Sequence, residues 1–361
     1  MTARRLITGL AAGLLAAGLP GLSDALGRRP AKPRPAEQLS YGSWLVYWGE
    51  PESDADLARD ARRLEEIDLF AYDFDAAGQL APAQPAVTAN RQRLLSLPAP
   101  RPRLLITAVN DVESPAGSKL KDPLCVHNAL ATPESRAAHI GQLLELARGL
   151  DGVDIDYERV DAADRAAFSA FIDALAQALH KRGQWLSVVL EPKTEGGIDW
   201  MAVSRAADQV KVMAYLYHSP GGEPGSMAPL GWIQGLAEGS LKIVPPSKLS
   251  VALHLGGIDW PAGEPGNSLE YSAAAALAAA HRQSIHLDAA TASGTFQYVD
   301  GGVAHQVWIE TPEGLRDKAE ILRQAGVPRV DFWRLGVGAA DFWRALPVAR
   351  RGTKSAAQAS H

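Results

Sequence analysis

The chain has 361 residues, 47% hydrophobic and 21% charged, with 36 basic against 41 acidic residues and a formal net charge of −5. This length suits one large α/β domain or two medium ones, and an acidic balance without any Lys/Arg run interleaved with aromatics leaves no nucleic-acid footprint. A single cysteine, Cys125, excludes an intrachain disulfide and a cysteine metal cluster, and the nine histidines are scattered without metal-ligand spacing.

In chain order, Arg4 and Arg5 precede an apolar stretch over residues 6–19, which Pro20 breaks and the small residues Ser23 and Ala25 follow. That is the form of an export signal over 1–25. The alternative is an uncleaved anchor, for which the run is short. A Pro- and Arg/Lys-rich linker is expected over 26–40. Strand and helix patterns then alternate. Strands are expected over 44–48, 67–74, 103–109, 152–158, 186–190, 210–215, 249–253 and 330–335, and helices over 54–66, 134–150, 164–182 and 313–324. Eight strands separated mostly by helices predict a (β/α)8 TIM barrel over 41–347. A doubly wound sheet is disfavoured because no Gly-rich phosphate loop follows the first strand. Residues 261–311 break the rhythm with an Ala-rich helix (272–281) and short β-like pieces (295–299, 305–309), which predicts a small α+β insertion before the last barrel helix. The tail over 348–361 is expected to be disordered.

The stretch DGVDIDYE, residues 151–158, carries the chemistry. In a strand, successive side chains point to opposite faces. Gly152, Asp154, Asp156 and Glu158 therefore share one face, and Val153, Ile155 and Tyr157 the other. In a barrel the apolar set meets the helices and the acids line the lumen, with Glu158 last, at the end where barrel active sites lie. Carboxylates this close cannot all ionise cheaply, so a shared proton is expected among Asp154, Asp156 and Glu158. The competing readings are a divalent-cation site and a solvated edge strand.

DGVDIDYE resembles the DxxDxDxE signature of glycoside hydrolase family 18, with Asp151, Asp154, Asp156 and Glu158 in place. IDLFAYDFDAAGQL, LSVVLEPKT, VKVMAYLYH, HQVWIETPEGLRDKAEIL and VDFWRLG resemble, in the same order, segments of the family's spore cortex-lytic and germination subgroup, which acts on peptidoglycan. The resemblance covers roughly residues 42–346. The LysM repeats that often accompany the subgroup are not visible.

The resemblance implies a retaining glycosidase. Glu158 matches the general acid, Asp156 the residue that orients the substrate's 2-acetamido group, and Asp154 the inner acid that shares a proton with Asp156. The nucleophile is the substrate's own acetamido oxygen, giving an oxazolinium intermediate. No metal or organic cofactor is therefore expected. Asp151 and Gly152 are expected to be structural. Tyr215 matches the tyrosine of the family's Met-x-Tyr-Asp segment, but Leu216 stands where the family usually has Asp. Tyr217 or His218 is expected to compensate. Trp333 matches the tryptophan beneath the reacting sugar, and Tyr72 and Tyr47 are candidate sugar contacts. The implied protein is exported to the periplasm or outside the cell, is monomeric, and acts on GlcNAc-containing polysaccharide, with peptidoglycan ahead of chitin. The alternative is a non-catalytic carbohydrate-binding barrel of the chitolectin type.

Overall fold

The computed structural model describes residues 35–48, 52–82, 84–114, 117–193 and 195–347. The expected signal over 1–25, most of the linker and the tail over 348–361 lie outside the described residues. Eight parallel strands close a barrel: β1 (Ser40–Val46), β2 (Glu66–Asp75), β4 (Arg103–Ser114), β6 (Gly152–Asp156), β7 (Trp185–Leu190), β8 (Gln209–Met213), β9 (Leu249–His254) and β15 (Arg329–Trp333). Each pairs in parallel with the next, and β15 returns to β1. The barrel predicted from the strand and helix rhythm is the one observed.

Between the strands run α1 (Glu52–Asp60), α2 (Ala86–Leu95), α3 (Pro123–Leu130), α4 (Pro133–Leu146), α5 (Arg165–His180), α6 (Trp200–Ala206), α7 (Leu230–Ser240) and α9 (Pro312–Ala325), with α10 (Phe342–Ala345) after the last strand. Their starts are chemically marked. Asp122, Thr132, Asp199 and Thr311 each accept a backbone N–H of the first turn of α3, α4, α6 and α9. Gly326, at φ +96°, closes α9 in the left-handed region. Amphipathic α5 buries Phe168, Phe171, Ile172, Leu175 and Leu179. Against this layer packs the apolar face of β6, where Tyr157 lies 6.2 Å from Phe171 and 5.8 Å from Phe74 between ring centroids. Gly152 is required at the start of β6, since a Cβ there would sit 2.0 Å from the Trp185 carbonyl oxygen.

Three departures from the sequence expectation matter for the site. The helix expected over 54–66 ends as an α-helix at Asp60 and as a 3-10 turn at Arg63, and Glu66 opens β2 instead, because its carboxylate is buried inside the barrel against Lys211 and Arg103. Strand β4 runs on to Ser114 and folds back as β5 (Gly117–Lys119), which carries Asn110, Asp111 and Lys121 to the barrel mouth. In β2 the register with β4 slips between Phe70 and Tyr72. This bulge adds one residue, so every side chain beyond it changes face.

The insertion forms a five-stranded antiparallel sheet of β10 (Gly257–Pro261), β11 (Asn267–Leu269), β12 (His286–Asp288), β13 (Ser293–Asp300) and β14 (Val303–Ile309). Helix α8 (Tyr271–Ala280) packs Ala274 and Ala278 onto Phe296, Tyr298, Val307 and Ile309. A buried ion pair joins it to the barrel, with Lys318 of α9 2.5 and 2.6 Å from the two Glu310 oxygens.

Candidate active site

The alternation of DGVDIDYE sorts its side chains as strand geometry requires. Val153, Ile155 and Tyr157 join the main core under the helices, while Asp154 and Asp156 are buried on the other face. Asp151 stands outside the strand, accepts the Leu104 N–H at 2.8 Å and pairs with Arg101, which ties the starts of β4 and β6 together. Asp154 accepts from Trp44 Nε1 at 3.0 Å and Thr107 Oγ1 at 3.0 Å on one oxygen, and from Lys211 Nζ at 3.1 Å on the other. Asp156 Oδ1 is buried without a hydrogen-bond partner. Glu158 stands at the mouth, its backbone clamped to the Asn110 side chain by two bonds of 2.8 Å. Its carboxylate meets Lys121 Nζ at 3.0 Å.

Electrostatics separate these acids. Burial pushes Asp156 up to about 8, with Glu158, Asp154 and Asp111 adding to the rise against the pull of Lys121. Asp156 thus favours its neutral form near neutral pH. Asp154 itself is held by Lys211 on one oxygen and by Trp44 and Thr107 on the other. Asp73 behaves like Asp156: burial, then Asp111 and Glu113, raise it to about 7. Lys121 is held protonated by Asp156, Glu158 and Asp111, which outweigh its burial.

Around the acids lies an apolar collar of Trp44, Val46, Phe70, Val109, Val189, Met213 and Ala252, with Tyr215 and Trp333 packed on it. Trp333 lies 4.8 Å from Phe70 and 5.8 Å from Trp44 between ring centroids. Burial pushes the Tyr215 phenol well up, and Asp156, Glu158 and Asp154 reinforce this, so it stands by the acids as a neutral donor. His254 meets Tyr215 edge-on at 5.8 Å and accepts the Gly256 N–H on Nδ1 at 2.8 Å. Burial and Arg334 hold it down at about 4, so it is neutral. Tyr47 is half-buried at the end of β1, near Asp73, Asp111 and Glu113.

Below the collar the lumen is charged. Lys211 lies fully buried 2.5 Å from Asp68, 3.1 Å from Asp154 and 3.2 Å from Glu66. Although burial alone would raise it, Lys211, Arg329 and Arg103 hold Glu66 at about 2. Asp331 bonds Ser250 and, at 3.2 Å, Gln209. Among the described residues, the acids close enough to share one ion are Glu66, Asp68 and Asp331, rather than those of DGVDIDYE. The Lys211 ammonium already occupies the side of that set facing Glu66 and Asp68.

Tyr72 is corrected. The bulge in β2 turns it out of the lumen into the main core, where its hydroxyl meets Arg91 at 3.5 Å, and Asp73 takes the inward place. Tyr217 and His218 are not brought to the acids. The Tyr217 ring packs 5.5 Å from Trp232, and His218 Nδ1 meets the Glu223 carbonyl at 2.9 Å. Leu216 is 40% exposed. Sequence reasoning missed Lys121, Asn110, Asp73 and Lys211. Lys211 alone had a signal, being in phase with Met213 and Tyr215 on the lumen face of β8.

Residues 127–337 match the glycosyl hydrolases family 18. The Bacillus subtilis (strain 168) protein YdhD is 28% identical over 306 residues, covering 80% of this chain and 70% of its own. The cortical fragment-lytic enzyme of Bacillus anthracis is 26% identical over 294 residues, covering 77% of this chain and 66% of its own. In structure, the spore cortex-lytic enzyme SleL of Bacillus cereus superposes with a TM-score of 0.76 at 22% identity, over 89% of this chain and 76% of that one, a likeness of fold. The chain belongs to glycosyl hydrolases family 18 and is a glycosidase.

Proposed function

We propose that the chain is an exported, retaining β-N-acetylglucosaminidase that cleaves GlcNAc-containing glycans, peptidoglycan ahead of chitin, by substrate-assisted catalysis. The observation that carries this reading is Glu158 at the mouth next to a buried Asp156 whose Oδ1 has no hydrogen-bond partner and whose burial favours the neutral acid near neutral pH. The reaction balances with that single proton. When a sugar enters, Asp156 passes it to Glu158 and is left as the carboxylate that holds the acetamido N–H. The acetamido carbonyl oxygen bonds to the anomeric carbon, the glycosidic C–O bond breaks, and Glu158 protonates the departing oxygen. Water then attacks the anomeric carbon, Glu158 takes its proton, and the oxazolinium reopens, so two inversions give retention. Tyr215 supplies a neutral hydroxyl for the acetamido oxygen, and Trp333 an indole face for the pyranose.

The preference for peptidoglycan rests on the relatives named for cortical fragments, and export rests on the pattern over residues 1–25. The chitolectin-type alternative rests on Leu216 alone, and the complete acid set argues against it. Side-by-side digestion of purified peptidoglycan and chitin, followed by mass spectrometry, should release more GlcNAc-ended fragments from peptidoglycan. Proton NMR of the first product formed should show the β anomer. Appearance of the α anomer first would overturn the substrate-assisted route, and sugar binding with no new reducing ends would favour the lectin.

A further inference from the structure

Lys121 occupies a backbone conformation that non-glycine residues rarely adopt, at φ +56°. It is held there by a hydrogen bond from its own N–H to Asp111 Oδ1 at 2.8 Å. This geometry aims the side chain inward, where it is 19% exposed, and places Nζ 3.0 Å from Glu158 and 3.6 Å from Asp111. A residue kept in a strained conformation with its charge on the catalytic acid marks a functional constraint.

We propose that Lys121 is a positioning residue for the reaction: its ammonium is the counter-ion of Glu158 in the free enzyme and holds that carboxylate in place until the bound sugar displaces it. The proposal rests on Glu158 being the acid, as in the reading above. Empty, the site pairs Glu158 with Lys121 next to Asp156, and Glu158 is free to reach the substrate only when a glycosidic oxygen takes the ammonium's place. After bond cleavage Glu158 is again a carboxylate, and Lys121 lies within reach to stabilise it while water enters.

The charged and titratable groups facing this pair come from four strands. They are Asp73 on β2, Asp111 and Glu113 on β4, and Asp154 on β6, together with the titratable but neutral Asp156 on β6 and Tyr215 beyond β8. Lys121 is the cation that ion-pairs with Glu158. Its removal therefore has a signed effect. A cation beside buried carboxyls favours their deprotonated forms, as Lys121 does for Asp156, so without it the activity profile moves to higher pH.

The test is the pH profile of kcat/KM for K121M and K121R on a fluorogenic GlcNAc oligomer, each variant first checked for folding by circular dichroism, with K121Q replacing K121M should the latter not fold. Both limbs of the K121M profile should move upward together by about one pH unit, while K121R returns them to the wild-type position. A profile that falls in height with its limbs unmoved would assign Lys121 a merely structural role and overturn the proposal. Where turnover is too low to profile, carbon-13 NMR titration of the site carboxyls decides: upward movement of the pair supports the proposal and an unchanged titration overturns it. E158Q run in parallel separates the two failures, because an active E158Q removes the acid assignment itself, whereas an inactive E158Q with unmoved K121M limbs removes only the role of Lys121.

Discussion

The floor and the mouth of the barrel hold the same residue type in different company. On the floor, Glu66 and Asp154 meet Lys211, with Arg103 and Arg329 on Glu66 as well. At the mouth, Asp156 has an oxygen with no donor and Asp73 is crowded by Asp111 and Glu113, so burial drives both toward the neutral acid. Glu66, with one ammonium and two guanidinium groups against it, is a fixed strut, while Asp68 beside the same ammonium is still driven up by burial. Asp156, with an unfilled oxygen and like charges nearby, is a proton store at the mouth. The collar from Trp44 to Ala252 separates the two, and Asp154 touches both, bound from below by Lys211 and lying beneath Asp156.

Removing the floor's central cation has the largest expected effect. K211M leaves Asp68, Glu66 and Asp154 buried without their ammonium, and should destabilise the fold by about 3–5 kcal/mol in urea denaturation. A loss of about 1 kcal/mol would mean the floor is ordinary packing. D156N at the mouth should do the reverse, leaving stability nearly intact while lowering kcat by about a hundredfold.

The mouth also sets the pH response. Asp156 binds its proton in the folded state up to about 8 and in the unfolded chain only up to about 4. The folded state therefore holds the extra proton, and the associated stability is lost as pH rises through 8. His139 and His254, both held at about 4 by burial, act oppositely, but only below about pH 6.5. From pH 6.5 to 8 the melting temperature should thus fall with rising pH, and activity should drop through about 8. A flat melting temperature over that window, or a D156N variant that keeps the wild-type slope, would contradict the proton store. The smallest effect belongs to Y72F, which should change KM by less than about twofold, since Tyr72 faces the helices and loses only a long contact to Arg91. A tenfold rise in KM would return Tyr72 to the cleft.

The acid strand was legible because its period of two has a physical cause: one face must be apolar to meet α5, and the other is free for chemistry. The barrel followed from the same periodicities. Tyr72 and Asp73 were exchanged because a bulge leaves no mark in residue types, and a one-residue slip inverts every assignment after it. Lys121 was invisible because its role depends on the β4–β5 hairpin and a left-handed backbone residue. Glu66 was assigned to a helix because helical propensity is a local quantity and its partner Lys211 lies 145 residues away along the chain.

Catalysis by substrate assistance requires Glu158 as its acid. Turnover and binding of GlcNAc oligomers by E158Q should show kcat reduced by about a thousandfold or more with affinity for the intact oligomer retained. Wild-type turnover in that variant would contradict the account.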